Sequence, residues 1–355
     1  MNILLQRLNS SLGFQYCDDS SAHRIEWIDM IKGIAILLVV MGHVIAQGFD
    51  QWHLILERPA LSYLWTMIYS FHMPLFIFVS GFLSGRMSNR GLGDVAKYLW
   101  SKFLLLVVPY FFSGVALHFF LGKSISSYWY LATLFTLLCS FCVLDYLLQF
   151  VHGKMRLVVY LVGLLILYLA ILGINHSFGN CSYVSYLFGH MERLYWYFAA
   201  GRLVRRVQVN FSESIKQFLY CVSIFLYIYI FTSSSRSANS SFLIGWPAIY
   251  IIWQVCKGLD LKKIGVLATS VCYLGRVSLE IYILHLFIPV KFPILEDFSL
   301  YIVNNFGRIG AVSLVALQLV YSLLLSLVVI GLSILGIVFL KKSKFTYKLM
   351  LGRGW

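Results

Sequence analysis

The sequence predicts an all-α, polytopic membrane protein of about ten transmembrane helices, with both termini cytoplasmic. Three observations predict it. Of 355 residues, 60% are hydrophobic and 12% charged, with a mean hydropathy of +0.82, a balance that excludes an ordinary soluble domain. Apolar residues run uninterrupted over lengths that suit helices crossing a ~30 Å hydrocarbon core, not the alternating short strands of a membrane barrel. The basic residues gather in alternate connecting segments, as the positive-inside rule requires.

In chain order, residues 1 to about 24 form a polar cytoplasmic tail. It has no compact apolar stretch followed by small residues, so no cleaved signal peptide is expected. Ten apolar segments follow within a transmembrane domain spanning 25–340: 31–49, 64–85, 99–120, 129–150, 157–174, 187–204, 217–232, 242–257, 266–288 and 311–340. The first carries Lys32 and His43, the second His72-Met73-Pro74, and the ninth Arg276, Glu280 and His285. The fourth holds Cys139 and Cys142, a pair read as packing rather than binding metal, and no disulfide framework is indicated. The last is long enough to tilt or to extend beyond the bilayer, and a basic tail, 341–355, ends the chain.

With alternate loops taken as cytoplasmic, Arg58, Lys123, Arg193, Arg236, Lys291 and Arg308 fall outside and Arg276 lies within a helix. The remaining 21 of 28 basic residues fall inside. That asymmetry accounts for most of the formal charge of +14, which therefore needs no nucleic-acid partner. A basic cytoplasmic face also suits a polyanionic co-substrate such as coenzyme A. There are no heptads, no repeats, no Gly-rich phosphate loop and no attached soluble domain, so any chemistry must use the helices and short loops.

The first segment, RIEWIDMIKGIAILLVVMGH, is the one that organises the rest. Lys32 and His43 are eleven residues apart, so they project from one face about 16 Å apart along the axis, with Asp29 and Gln47 on nearly the same face. An ionisable residue inside a membrane helix marks a pathway or a site with partners. The plainer alternative makes His43 an interhelical hydrogen-bonding group and Lys32 a snorkelling anchor. His72 reaches a depth comparable to that of His43 on an antiparallel helix, so the two imidazoles could share one site. Alternatively, His72 satisfies the carbonyl that Pro74 leaves without a donor. Near an outer helix end, His176, His190, Glu192 and Arg193 could touch a sugar or simply be hydrated. Trp52, Trp65, Trp129 and Trp196 fit an interfacial belt. Arg276 reads as nearer midspan, with Glu280 at i+4 as its partner, and His285 as nearer the outer end of the same helix.

WIDMIKGIAILLVVMGH, FHMPLFIFVSGFL and LGRVSLEIYILH resemble, in that order, the three landmarks of the membrane-bound acyltransferase family 3, and most of all its fucose 4-O-acetylase-like and other sugar O-acetylase members. The family signature, an arginine or lysine, ten intervening residues and then a histidine, falls on Lys32 and His43. Its FHMP histidine is His72. The resemblance implies a ten-helix fold that passes an acyl group, usually acetyl from cytoplasmic acetyl-CoA, to a glycan hydroxyl on the far side or at the lipid surface. Lysine at 32 keeps the charge of the commoner arginine but loses its bidentate phosphate geometry. Arg86 and Arg90 are spaced differently from the family's clustered arginines and carry over only as weak donor-binding candidates. Glu280 stands where a small residue is common. No hydrolase domain follows the last helix, which is the pattern of the stand-alone members.

The reading is an inner-membrane O-acyltransferase acting on a saccharide or lipid-linked glycan, with acetyl-CoA as donor and no metal. His43 is the general base, because an imidazole suits removal of a hydroxyl proton at neutral pH. His72 assists or positions substrate. Lys32 contacts a coenzyme A phosphate or holds Asp29 in an ion pair. Direct transfer and a short-lived acyl-histidine both remain open, as do the acceptor and a homo-oligomeric state. The rivals are a transporter or flippase for lipid-linked sugars and a non-catalytic component of polysaccharide export.

Overall fold

The computed structural model describes residues 25–48, 59–84, 91–151, 155–178, 182–206, 212–233, 238–290 and 310–354. Every regular element among them is helical. Seven helices are long and apolar enough to cross a membrane, and an eighth span counts if one bent pair is taken as a single crossing. Helices also occupy the other two expected segments, but they are more polar: the one at Ser182–Arg206 carries His190, Glu192, Arg193 and three further arginines. The one at Ala238–Gly258 opens on Ala-Asn-Ser-Ser and contains Pro247.

The chain divides into two compact units. The first comprises residues 25–76 and 213–347. It holds α1 (Glu26–Gly48), the beginning of α2 (Pro59–Leu83) and, from the second half of the chain, the elements that surround α1. Glu26 and Asp29 occupy the first turn of α1, where carboxylates complement the helix dipole. Ile31, Ala35, Ile36 and Val40 are wholly buried further along.

What α1 buries itself against is mainly a broken helix. In the second half of this unit, α8 (Glu213–Ser233) and α9 (Ala238–Gly258) pair as a hairpin. The short α10 (Leu261–Ile264) then leads into α11 (Val266–Arg276), which meets α12 (Ser278–Leu284) at a 67° bend. Val277, between them, has left helical geometry with φ −105° and ψ 19°. At the α1–α11 crossing, a Cβ on Gly33 would collide with the Val271 carbonyl, and a Cβ on Gly275 with the Asp29 carbonyl. The two backbones touch, an approach that only glycine allows and that drives helix association where no hydrophobic effect is available. The Cys272 thiol donates to the Glu26 carbonyl at 3.5 Å across the same crossing. Finally α13 (Ala311–Leu340) packs on α1 and α12. It buries Gln318, Ser322, Ser326 and Ser333 on one face, and Ser333 donates to the Val329 carbonyl one turn back, which leaves a narrow, small-residue surface for packing.

The second unit comprises residues 77–212 and 348–355 among those described. It runs through α3 (Leu92–Lys102), a wide π turn (Phe103–Val107), α4 (Val108–Leu121), α5 (Trp129–Leu148), α6 (Met155–Ser177) and α7 (Ser182–Arg206). The π turn has a local cause. Pro109 cannot donate to the Leu105 carbonyl, and the Val108 amide reaches back five residues to Phe103. The basic segment after Leu340 carries one more helix, α14 (Lys344–Leu351). Its end is fastened to this unit: Leu351 is fully buried and the Ser113 hydroxyl donates to the Met350 carbonyl at 2.7 Å.

Between α5 and α7 lies a buried ion cluster. Arg202 and Arg206, one turn apart on α7, each donate to a different oxygen of Asp145. Arg202 also donates to the Ser84 hydroxyl at 2.7 Å, and its guanidinium lies 5.2 Å from the centre of the Phe141 ring. The Asp145 and Arg202 side chains are each 3% exposed and that of Arg206 10%. Such a cluster persists because each charge has partners; a lone member would be costly to bury.

Candidate active site

Three histidines converge within the first unit. α1 carries His43, α2 carries His72, and the single 3-10 turn after α12 carries His285. The His43 and His285 ring centres are 5.0 Å apart. On its other side His43 meets the edge of Tyr69 at 6.4 Å, and Tyr69 meets His72 at 4.7 Å. The rings therefore form a continuous series, His285–His43–Tyr69–His72. Tyr69 is held by stacking on Trp65 at 4.2 Å and by a seat on α1: a Cβ at Gly42 would come within 2.7 Å of its ring. The glycine before His43 thus makes room for the phenol beside it.

Local hydrogen bonds set the state of two of these imidazoles. His72 Nδ1 lies 2.7 Å from the Ile68 carbonyl and His285 Nδ1 lies 3.1 Å from the Ile281 carbonyl, each four residues back. A carbonyl only accepts, so Nδ1 carries the proton in both rings and Nε2 holds the lone pair when the ring is neutral. Both residues are 3% exposed, while His43 is half-buried. Pro74 deprives the Ser70 carbonyl of its donor, and His72 bonds to Ile68 instead.

His43 and His72 are linked through Tyr69 and not by direct ring contact. His285, expected nearer the outer end of its helix, proves to be the direct ring neighbour of His43. The contact of Gly275 with Gly33 sets this register, because each histidine follows its glycine by ten residues. Gly275 packs on Asp29 and Gly33, so Arg276 lies level with the first turns of α1. The bend interrupts the i,i+4 register on which pairing with Glu280 depended: Arg276 is exposed and Glu280 buried at 5%. At this end Lys32 Nζ lies 2.9 Å from Asp29 Oδ1, so the ion pair envisaged for Lys32 is present. Arg86 and Arg90 lie outside the described residues.

The remaining sequence candidates belong to the other unit. His190 stacks on Trp129 at 4.0 Å, Glu192 accepts from Asn175 Nδ2 at 2.9 Å, and Arg193 Nε donates to the Gly189 carbonyl. Sequence reasoning missed Tyr69 and the Asp145–Arg202–Arg206 cluster. A signal for the first existed in YSFH, since a tyrosine three residues before a buried histidine shares its helix face. Asp145 had one too, as a lone acidic residue in an apolar run.

Chemically, the group can accept a proton at an imidazole nitrogen, with further rings at hand to orient a hydroxyl or share the resulting charge. Nodulation protein NolL from Sinorhizobium fredii is 34% identical over 135 residues, covering 32% of this chain and 35% of that protein. Nodulation protein NolL from Mesorhizobium japonicum is 36% identical over 92 residues, covering 23% of each. The chain thus matches 35% and 23% of the length of these relatives. No solved structure matches. The family described as "Acyltransferase domain" matches residues 25–340, nearly the whole chain, including all three histidines and Lys32; the chain belongs to the membrane-bound acyltransferase family 3.

Proposed function

We propose that the protein is an O-acyltransferase of the bacterial plasma membrane. It moves an acyl group, acetyl in the first instance, from cytoplasmic acyl-CoA to a hydroxyl of a cell-surface or lipid-linked saccharide. The observation that carries this is the 5.0 Å approach of His43 and His285 inside a chain of the acyltransferase family. As the sugar oxygen attacks the thioester carbonyl, His43 takes the hydroxyl proton. The C–S bond then breaks and the proton passes to the departing thiolate, giving ester and free coenzyme A. His285 lies where it can share the positive charge on His43, and His72, with its Nε2 lone pair, can position the acceptor. In this reading Lys32, which pairs with Asp29 near the start of α1, serves the donor. Ten crossings with both termini cytoplasmic fit this direction of transfer. Family membership favours acyl transfer over the flippase and export-component readings.

The test is mass spectrometry of surface glycans from cells with and without the protein, paired with transfer from labelled acetyl-CoA in isolated membranes. Acetyl esters that appear only with the protein are expected, and identical glycans with no transferred label would refute the proposal. Reporter fusions at the two termini should both report the cytoplasm, and an external terminus would reverse the assigned direction.

A further inference from the structure

We propose that Arg276 is a second anchor for the acyl donor, gripping one of its phosphate groups beside Lys32. This rests on the acyl-CoA reading above and goes beyond it. Two tracks rise side by side in the first unit. One runs from Lys32 to His43 along α1, roughly 16 Å at helical rise, and the other from Arg276 to His285 over nine residues, a path that the 67° bend at Val277 makes shorter than an unbroken helix would be. They are joined at both ends. Below, Gly33 and Gly275 bring the two backbones into contact; above, the two imidazoles are 5.0 Å apart. Each histidine therefore has a cation beneath it at a similar remove. In an acyl-CoA, the extended pantetheine arm separates thioester from phosphates by a comparable length.

The two cations differ in what they can offer. Lys32 is largely neutralised by Asp29 at 2.9 Å and is a compact point charge. Arg276 is exposed and makes no ion pair among the described residues. Its guanidinium presents the planar fork that matches two phosphate oxygens at once. Lysine at 32 lacks that fork, and Arg276 restores it from the neighbouring helix. Glu26 and Asp29 act on Cys272 at this end together with Arg276. Against Lys32 alone the two carboxylates leave one negative charge, and Arg276 brings the sum to zero, which removes the repulsion of a phosphate.

The phosphate of an anionic lipid headgroup offers the same chemistry, so the experiment separates the two sources. Full-length protein is reconstituted in bilayers of phosphatidylcholine alone and in bilayers containing phosphatidylglycerol. Equilibrium binding of labelled coenzyme A is measured for wild type, Arg276→Ala and Arg276→Lys, and KM and kcat with acetyl-CoA alongside. Arg276→Ala should weaken coenzyme A binding and raise KM by about ten- to a hundredfold in both lipids, as loss of a charge-assisted contact does. kcat should fall far less, and Arg276→Lys should recover part of the binding. Unchanged binding overturns the proposal. So does a loss confined to the anionic bilayer, which assigns Arg276 to lipid, or a loss of kcat with binding intact, which makes it structural. Wild type that binds coenzyme A but transfers no acyl group refutes the acyl-transfer reading and leaves the anchor standing. Wild type that does not bind it refutes both.

Discussion

His43→Gln should lower acyl transfer by about 10²–10⁴-fold while the protein inserts and accumulates as wild type does, because a general base contributes about that factor. Glutamine is close to histidine in size and keeps a hydrogen-bonding end, but it cannot hold a proton. The position tolerates the change, since His43 is half-buried while the core of α1 is carried by Ile31, Ala35, Ile36 and Val40. The fall should appear equally in kcat and kcat/KM, as it does when an interaction made only in the transition state is lost. Near-normal turnover would move the base to His285 or His72, whose Nε2 atoms also carry lone pairs. Turnover in membranes containing matched protein, with coenzyme A binding as the control for folding, decides it.

Asp145→Asn should destabilise the protein by about 3–5 kcal/mol, the usual cost of removing one partner from a buried ion pair. The substitution keeps size and shape but leaves the guanidinium groups of Arg202 and Arg206 without their shared counter-charge. Neither can retreat to water, since their side chains are 3% and 10% exposed. Thermal unfolding in detergent, followed as loss of monodisperse protein, should shift sharply downward. Removing Arg206 along with the carboxylate should recover part of the loss, because one fewer cation is then stranded. A variant as stable as wild type would mean that water reaches the cluster.

The helical class and the rough positions of the spans were legible because burial in lipid needs only length and apolar composition, both local properties. His43 and His72 were legible for a related reason: an imidazole inside an apolar run is conspicuous wherever its partners lie. The partners themselves were not. Placing His285 beside His43 depends on the contact of Gly275 with Gly33, which belongs to tertiary packing. The bend at Val277 was hidden too, since nothing in GRVSLE breaks a helix as proline would, and a continuous helix pairs Arg276 with Glu280. Asp145 and its arginines lie more than fifty residues apart, and their pairing is a fact of tertiary packing. Tyr69 stayed in the background because tyrosine is common in this chain, with 23 copies, and only the missing side chain at Gly42 marks this one.

The contact between Gly33 and Gly275 also sets an order of assembly. α1, with Asp29, Lys32 and His43 on it, leaves the ribosome well before α11, the surface that covers its glycine. Until α11 arrives, that polar face must be tolerated by lipid, shielded by an insertion factor or paired temporarily with another helix. The histidine array is therefore completed only once α12 has been made, and a chain truncated before residue 266 leaves the glycine face of α1 uncovered.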